Sequence, residues 1–130
     1  MAVYLDTSAL VKLVVEEPES AALWEWLRPR EAVASDLART ELMRAVRRVA
    51  PALAARARDV LDSITLVQPT TATFERAGTL DPVVLRSLDA VHLAAALELG
   101  DDLEWLVTYD DRLGEAAAAL GIRVAAPRRT

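Results

Sequence analysis

Short apolar runs alternate with stretches of helical periodicity along this chain, and acids follow directly on several of the runs. Ala2 to Leu5 reads as a buried strand ending at Asp6. A helical pattern covers Ala9 to Val15 and is broken at Glu16-Glu17-Pro18. Pro18 suits the first turn of a second helix, which carries Leu23, Trp24 and Leu27 and stops near Pro29. Ala32 to Ala34 is expected as the second strand, followed by a helix from about Leu37 to Val49 and another from Pro51 to near Asp62. Ile64 to Val67 reads as the third strand, with a helix from Thr71 to Ala77. Asp81-Pro82 falls in a connection, and Ser87 leads a long helix to Leu99 that Gly100 ends. Trp105 to Thr108 is the fourth strand, Asp110 to Leu120 a helix closed by Gly121, and Arg123 to Ala125 the fifth strand. This order implies an α/β fold: a three-layer α/β/α sandwich around a central five-stranded parallel sheet. Ligands of such sheets gather beyond the carboxyl ends of the strands.

Asp6 and Asp110 directly follow strands, so the fold sends them to that edge. Glu41 lies under two helical turns past Ser35, on a helix side that mixes polar and apolar residues, and Asp89 falls in the first turn of its helix among Leu85, Leu88, Val91 and Leu93. A charge set inside an apolar helix is costly unless it is paired or bound to a cation. Several carboxylates in one pocket repel one another unless a hard cation neutralises them, and oxygen-only ligation suits magnesium or manganese. A cation so held is common machinery for cutting a phosphodiester. Each acid also has a bland role as helix cap, dipole partner or solvated charge. Thr7 or Ser8 is expected to cap the first helix, freeing Asp6; Ser35 or Asp36 is expected to cap the helix after the second strand. Of Asp110 and Asp111, one is expected to cap the last helix, and the strand-end position favours Asp110 as the ligand, with Asp111 as an outer acid.

Thr7, Ser8 and Thr108 stand beside the acids and could orient a carboxylate or a water, while Arg112 is close enough in sequence to Asp110 to face the same pocket. His92, the single histidine, lies one turn after Asp89; that spacing could bind a metal, but a histidine on an apolar helix face is more often a hydrogen-bonded core residue. Arg44, Arg47 and Arg48, with Arg56 and Arg58 on the next helix, read either as ordinary surface charge or as a phosphate track into the site. Trp24 and Trp26 cannot share one helix face, so one of them is expected to be more exposed or at an interface.

At 130 residues the chain is expected to form one domain, able to bury about two thirds of its unfolded surface. An apolar content of 53% against 27% charged argues against disorder. The absence of cysteine excludes disulfides, thiolate metal sites and a cysteine nucleophile, and fits a reducing compartment. The first strand begins almost at Met1, leaving no room for a signal peptide, and no apolar run approaches the roughly 20 residues of a membrane span. A net charge of −5 argues against a nucleic-acid binder unless bound cations offset it. Lys12 is the only lysine; every other cationic side chain is an arginine, suited to bidentate contact with phosphate. A phosphorylated receiver domain would need a phosphoacceptor after the third strand, which here ends in Val67-Gln68-Pro69.

Four segments together resemble the PIN-domain proteins of the VapC family, toxins of type II toxin–antitoxin pairs. They are Met1 to Leu10, Ser35 to Glu41, Leu88 to Ala94 and Thr108 to Leu113, in order and spread over nearly the whole chain. The resemblance implies a cytoplasmic, Mg2+- (or Mn2+-) dependent endoribonuclease that cuts RNA, of the tRNA or rRNA kind, to inhibit translation. It implies Asp6, Glu41, Asp89 and Asp110 as the catalytic, metal-holding acids. It further implies a homodimer and a cognate VapB-type antitoxin covering the active site. A PIN-fold binding module without catalysis and a DNA-directed PIN nuclease are the alternatives.

Overall fold

In the computed structural model, which describes residues 1–128, five strands form one parallel sheet. The elements follow as β1 (Ala2–Leu5), α1 (Thr7–Val14), α2 (Ser20–Leu27), β2 (Glu31–Ser35), α3 (Ala38–Val49), α4 (Ala54–Asp62), β3 (Thr65–Val67), α5 (Thr71–Ala77), α6 (Ser87–Leu97), β4 (Leu103–Val107), α7 (Asp111–Ala119) and β5 (Val124–Ala125). The sheet order is β3-β2-β1-β4-β5, so the first strand is the centre. Its sequence explains the position: all four residues of Ala2-Val3-Tyr4-Leu5 are apolar or aromatic and all are buried, as a strand covered on both faces requires.

Strand alternation divides the core into two layers. Val3 and Leu5 of β1 pack with α1 to α4 through Leu10, Leu13, Leu23, Leu42, Val46 and Leu61. Ala2 and Tyr4 face the other way, with Leu106, against Leu93 of α6 and Leu113 of α7. α5 and α6 add a smaller apolar cluster through Ala77, Ala90, Val91 and Ala94. The expected three-layer sandwich and its five-stranded parallel sheet are therefore present. Among the described residues, no helix is long and apolar enough to cross a membrane.

Several boundaries differ from expectation, each for a local reason. Pro18 lies in the turn ahead of α2 rather than in its first turn. Buried Ser20 ties that turn down: its hydroxyl accepts from Glu17 N at 2.9 Å and donates to Val15 O at 3.2 Å. α6 ends at Leu97, and Gly100, with φ of 56°, opens a separate 3-10 turn that holds Asp101 and Asp102. β4 begins earlier than expected, at Leu103, and stops at Val107, leaving Thr108 just past the strand. Gly121, with φ of 82°, follows α7 as the pattern required.

Leu93 stands in α6 one turn beyond Asp89 and is fully buried. Leu93→Ala is expected to destabilise the protein by about 2–5 kcal/mol, the range for opening a cavity at a closed core position. Equilibrium unfolding in urea checks this; a loss under about 1 kcal/mol would show that α6 is not anchored by this contact.

Candidate active site

The four acids share one structural circumstance: each stands at the start of a helix at the carboxyl edge of the sheet. Asp6 is the N-cap of α1 and Asp110 the N-cap of α7. Glu41 is in the first turn of α3 and Asp89 in the first turn of α6. The positive end of each helix backbone therefore faces the region where the carboxylates collect.

Asp6 is the most enclosed, at 3% exposure. Its Oδ1 accepts from Ser8 Oγ at 2.7 Å and from Ala9 N at 3.0 Å, and its Oδ2 accepts from Thr108 Oγ1 at 2.6 Å. The expectation that Thr7 or Ser8 would cap α1 is corrected here. Asp6 itself takes the Ala9 N–H, and Ser8 turns back to donate to it. Strand register accounts for Thr108: Leu5 pairs with Val107, so the residues that follow each strand meet. Ser8 Oγ and Thr108 Oγ1 also accept from Tyr109 N at 2.9 Å and Asp110 N at 3.1 Å, binding the end of β4 to the end of β1. Burial pushes the Asp6 carboxyl above its ordinary range, against the pull of the Thr108, Ser8 and Ala9 hydrogen bonds.

Glu41 is held from two sides. Its Oε1 accepts from Thr7 Oγ1 at 3.0 Å and lies 2.5 Å from His92 Nε2. Burial alone would raise its carboxyl, but the hydrogen bond and charge of His92, with the Thr7 hydroxyl, outweigh it and leave Glu41 below the usual range. His92 is 1% exposed, and its Nδ1 meets the Tyr4 hydroxyl at 2.8 Å. It is thus a hydrogen-bonded core residue that bridges to the site. α3 carries no side-chain cap, which corrects the expectation for Ser35 or Asp36; Ser35 Oγ instead accepts from Leu37 N at 3.1 Å, ahead of the helix.

Asp89 differs from the other three in having no hydrogen-bond donor among the described residues. Burial pushes its carboxyl up, and so do the charges of Asp110, Asp6 and Glu41, with His92 acting against them. That repulsion places Asp110, Asp6 and Glu41 within electrostatic reach of Asp89. Asp110 Oδ1 accepts from Arg112 N at 2.9 Å and Leu113 N at 3.2 Å, so Asp110 is the cap and Asp111 is exposed in the first turn of α7. The strand-end acid and the cap are one residue, where the sequence had set the two roles in competition.

Asp89, Asp110, Asp111 and Arg112 line one open cleft of about 860 Å³ with Arg86, Pro82, Val84 and Leu85. Arg86 was not singled out in the sequence; its signal was its place immediately before the Ser87 helix. Tyr4 was likewise missed, because its β1 position reads simply as core. Arg44, Arg47 and Arg48 line a separate hollow with Pro51 and do not line the acidic cleft, while Arg56 Nη2 reaches Leu13 O at 3.5 Å. Trp24 is 43% exposed, whereas Trp26 packs edge-to-face on Trp105, which meets the expectation that the two would differ.

An oxygen-only donor set with raised mutual repulsion is chemistry that a hard divalent cation satisfies. As the side chains stand, no three acids or histidines among the described residues converge to hold a metal ion. Asp6, Glu41 and Asp110 each accept from donors of their own. The donor set fits the ion in chemistry, and the free oxygens, those of Asp89 and the second oxygens of Glu41 and Asp110, face no competing donor among the described residues.

The family model for the PIN domain matches residues 3–119. Ribonuclease VapC46 of Mycobacterium tuberculosis is 48% identical over 127 residues, 97% of this chain and 98% of that protein. Ribonuclease VapC47 of the same species is 42% identical over 131 residues, covering 96% of each. Among solved structures, M. tuberculosis VapC20, described as a Sarcin-Ricin loop cleaving toxin, superposes with a TM-score of 0.75 at 15% identity, over 88% of this chain and 95% of that one. A chain of a toxin–antitoxin complex from Klebsiella pneumoniae gives 0.74 at 24% identity over the full length of both. At those identities the two structures speak for the fold.

The raised carboxyls have a definite sign. Folding raises the Asp6 and Asp89 carboxyls, so the stability they contribute is full below about pH 4 and is lost as pH rises through their raised values. Glu41 has the opposite sign, its contribution being lost as pH falls through its lowered value. Asp89→Asn is therefore expected to raise the melting temperature of the metal-free protein at pH 7 by about 2–4 °C, with the gain vanishing near pH 4. A melting series across pH tests it, and an unchanged or lower value at pH 7 would remove the repulsive pocket.

Proposed function

Because this chain belongs to the PIN-domain family, among the proteins named ribonuclease VapC, we propose that it is a metal-dependent endoribonuclease, the toxin of a type II toxin–antitoxin pair. The observation that supports the chemistry is the placement of Asp6, Glu41, Asp89 and Asp110 at four helix starts on one edge of the sheet, with the charges of the other three acids bearing on Asp89. In this reading the four acids hold Mg2+ or Mn2+, with Asp110 rather than Asp111 as the fourth. When bound, such a cation neutralises the acids, offsets charge on the phosphate and makes water nucleophilic near neutral pH. The chain's own side chains do the remaining work. Ser8 and Thr108 fix both oxygens of Asp6. Thr7 holds Glu41 from the α1 side. Arg86 and Arg112, on the rim of the cleft, bring positive charge to the phosphates of an RNA strand crossing Asp89 and Asp110.

The partners follow from the same reading: an RNA substrate in the cytoplasm, a cognate VapB-type antitoxin, and a second copy of the chain in a homodimer. The fold acts as a single PIN domain, and the cut RNA is of the tRNA or rRNA class. The test is cleavage of end-labelled RNA by the purified chain, with magnesium and then with chelator, beside Asp6→Asn and Asp89→Asn prepared identically. Magnesium-dependent cutting is expected in the parent and none in either variant, with both variants folded by circular dichroism. Cutting that persists equally in both variants would sink the assignment of the acids.

A further inference from the structure

A buried chain of hydrogen bonds joins the two helical layers across the carboxyl edge of the sheet. It begins at Tyr4 in β1, passes through His92 in α6, and ends on Glu41 in α3, successive partners standing 88 and 51 positions apart in the sequence. The Tyr4 hydroxyl meets His92 Nδ1 at 2.8 Å, and His92 Nε2 meets Glu41 Oε1 at 2.5 Å. Thr7 Oγ1 closes on the same Glu41 oxygen at 3.0 Å. Glu41 Oε2 takes no hydrogen bond among the described residues.

The direction of the proton toward Glu41 is set by the carboxylate, which can only accept, so the Nε2 that meets Glu41 Oε1 carries a proton. Packing offers no competing reason for an imidazole here. His92 is flanked by Val91, Leu93 and Ala94, all buried, and a wholly apolar side chain would fill the space without needing two polar partners.

We propose that Tyr4 and His92 are positioning residues of the reaction, a relay that clamps Oε1 of Glu41 and thereby presents Oε2 to the acidic cleft. The proposal rests on the metal-dependent ribonuclease reading above. Neither residue touches RNA or the reacting phosphate; each acts through Glu41. Outer-shell partners that orient a ligating group are typically worth 10–100-fold in metal affinity or activity.

The chain has one histidine, so 15N-histidine labelling reports this ring alone. The parent is expected to show a protonated Nε2; an unprotonated Nε2 overturns the relay. Mn2+ binding is then titrated without RNA in the parent, His92→Leu, His92→Gln and Tyr4→Phe, and kcat and KM for RNA are measured at saturating metal. His92→Leu is expected to weaken Mn2+ binding about 10–100-fold and to lower kcat while KM holds. His92→Gln, whose terminal amide can donate near the Nε2 position, is expected to recover most of both. A folded His92→Leu with parental Mn2+ affinity and kcat overturns the proposal. Should that variant fail to fold, Tyr4→Phe decides, since it keeps the buried ring and removes only the hydroxyl. A smaller loss in the same direction supports the relay, and unchanged affinity and kcat overturn it. A parent that binds no Mn2+ and cuts no RNA removes the ribonuclease reading itself, which these variants would not reveal.

Discussion

A carboxylate with almost no access to water is the constraint around which this structure is arranged. Asp6 can be buried because donors from three directions close on its two oxygens: the first turn of its own helix, Ser8, and Thr108 from the neighbouring strand end. Each donor is there for a reason of fold. The Ala9 N–H is one of the orphan donors of a helix start, Ser8 lies on that helix, and Thr108 arrives because β1 and β4 run in parallel register. Removing any of them would leave a buried charge short of a partner, so the central strand pair, the start of α1 and the site are one unit.

The acids of this edge are consequently not equivalent. Asp6, Glu41 and Asp110 have donors of their own, and Asp89 has none. Repulsion therefore accumulates on Asp89, where burial and three like charges act together. On the metal-holding reading, an ion would compete with those donors at Asp6, Glu41 and Asp110 and meet no rival at Asp89 among the described residues.

The alternation of strands and helices, the two helical layers and the strand-end places of Asp6 and Asp110 were legible in the sequence, because they follow from local pattern. Ala2 to Leu5 could only be a covered strand, and whatever follows a parallel strand goes to the ligand edge. Capping was misread because hydroxyls and short acids compete for the same helix-start donors. Thr7 and Ser8 looked like caps for α1, yet Asp6 takes the N–H and the hydroxyls serve as donors to acids. The Tyr4–His92–Glu41 chain was hidden for a different reason. Its members lie on three elements, and nothing in their own neighbourhoods marks them: Tyr4 reads as core, and His92 as a satisfied core polar residue. Arg86 escaped for want of any pattern beyond its position before a helix.

Four helices begin where the four acids stand, α1, α3, α6 and α7. Each start contributes roughly half a positive elementary charge of oriented backbone dipole, worth about 0.3–1 kcal/mol to a nearby acid. The polypeptide thus brings its own partial counter-charge to the cleft. On the metal-holding reading, part of the charge an ion would have to neutralise is thus already met by the backbone before any ion is bound.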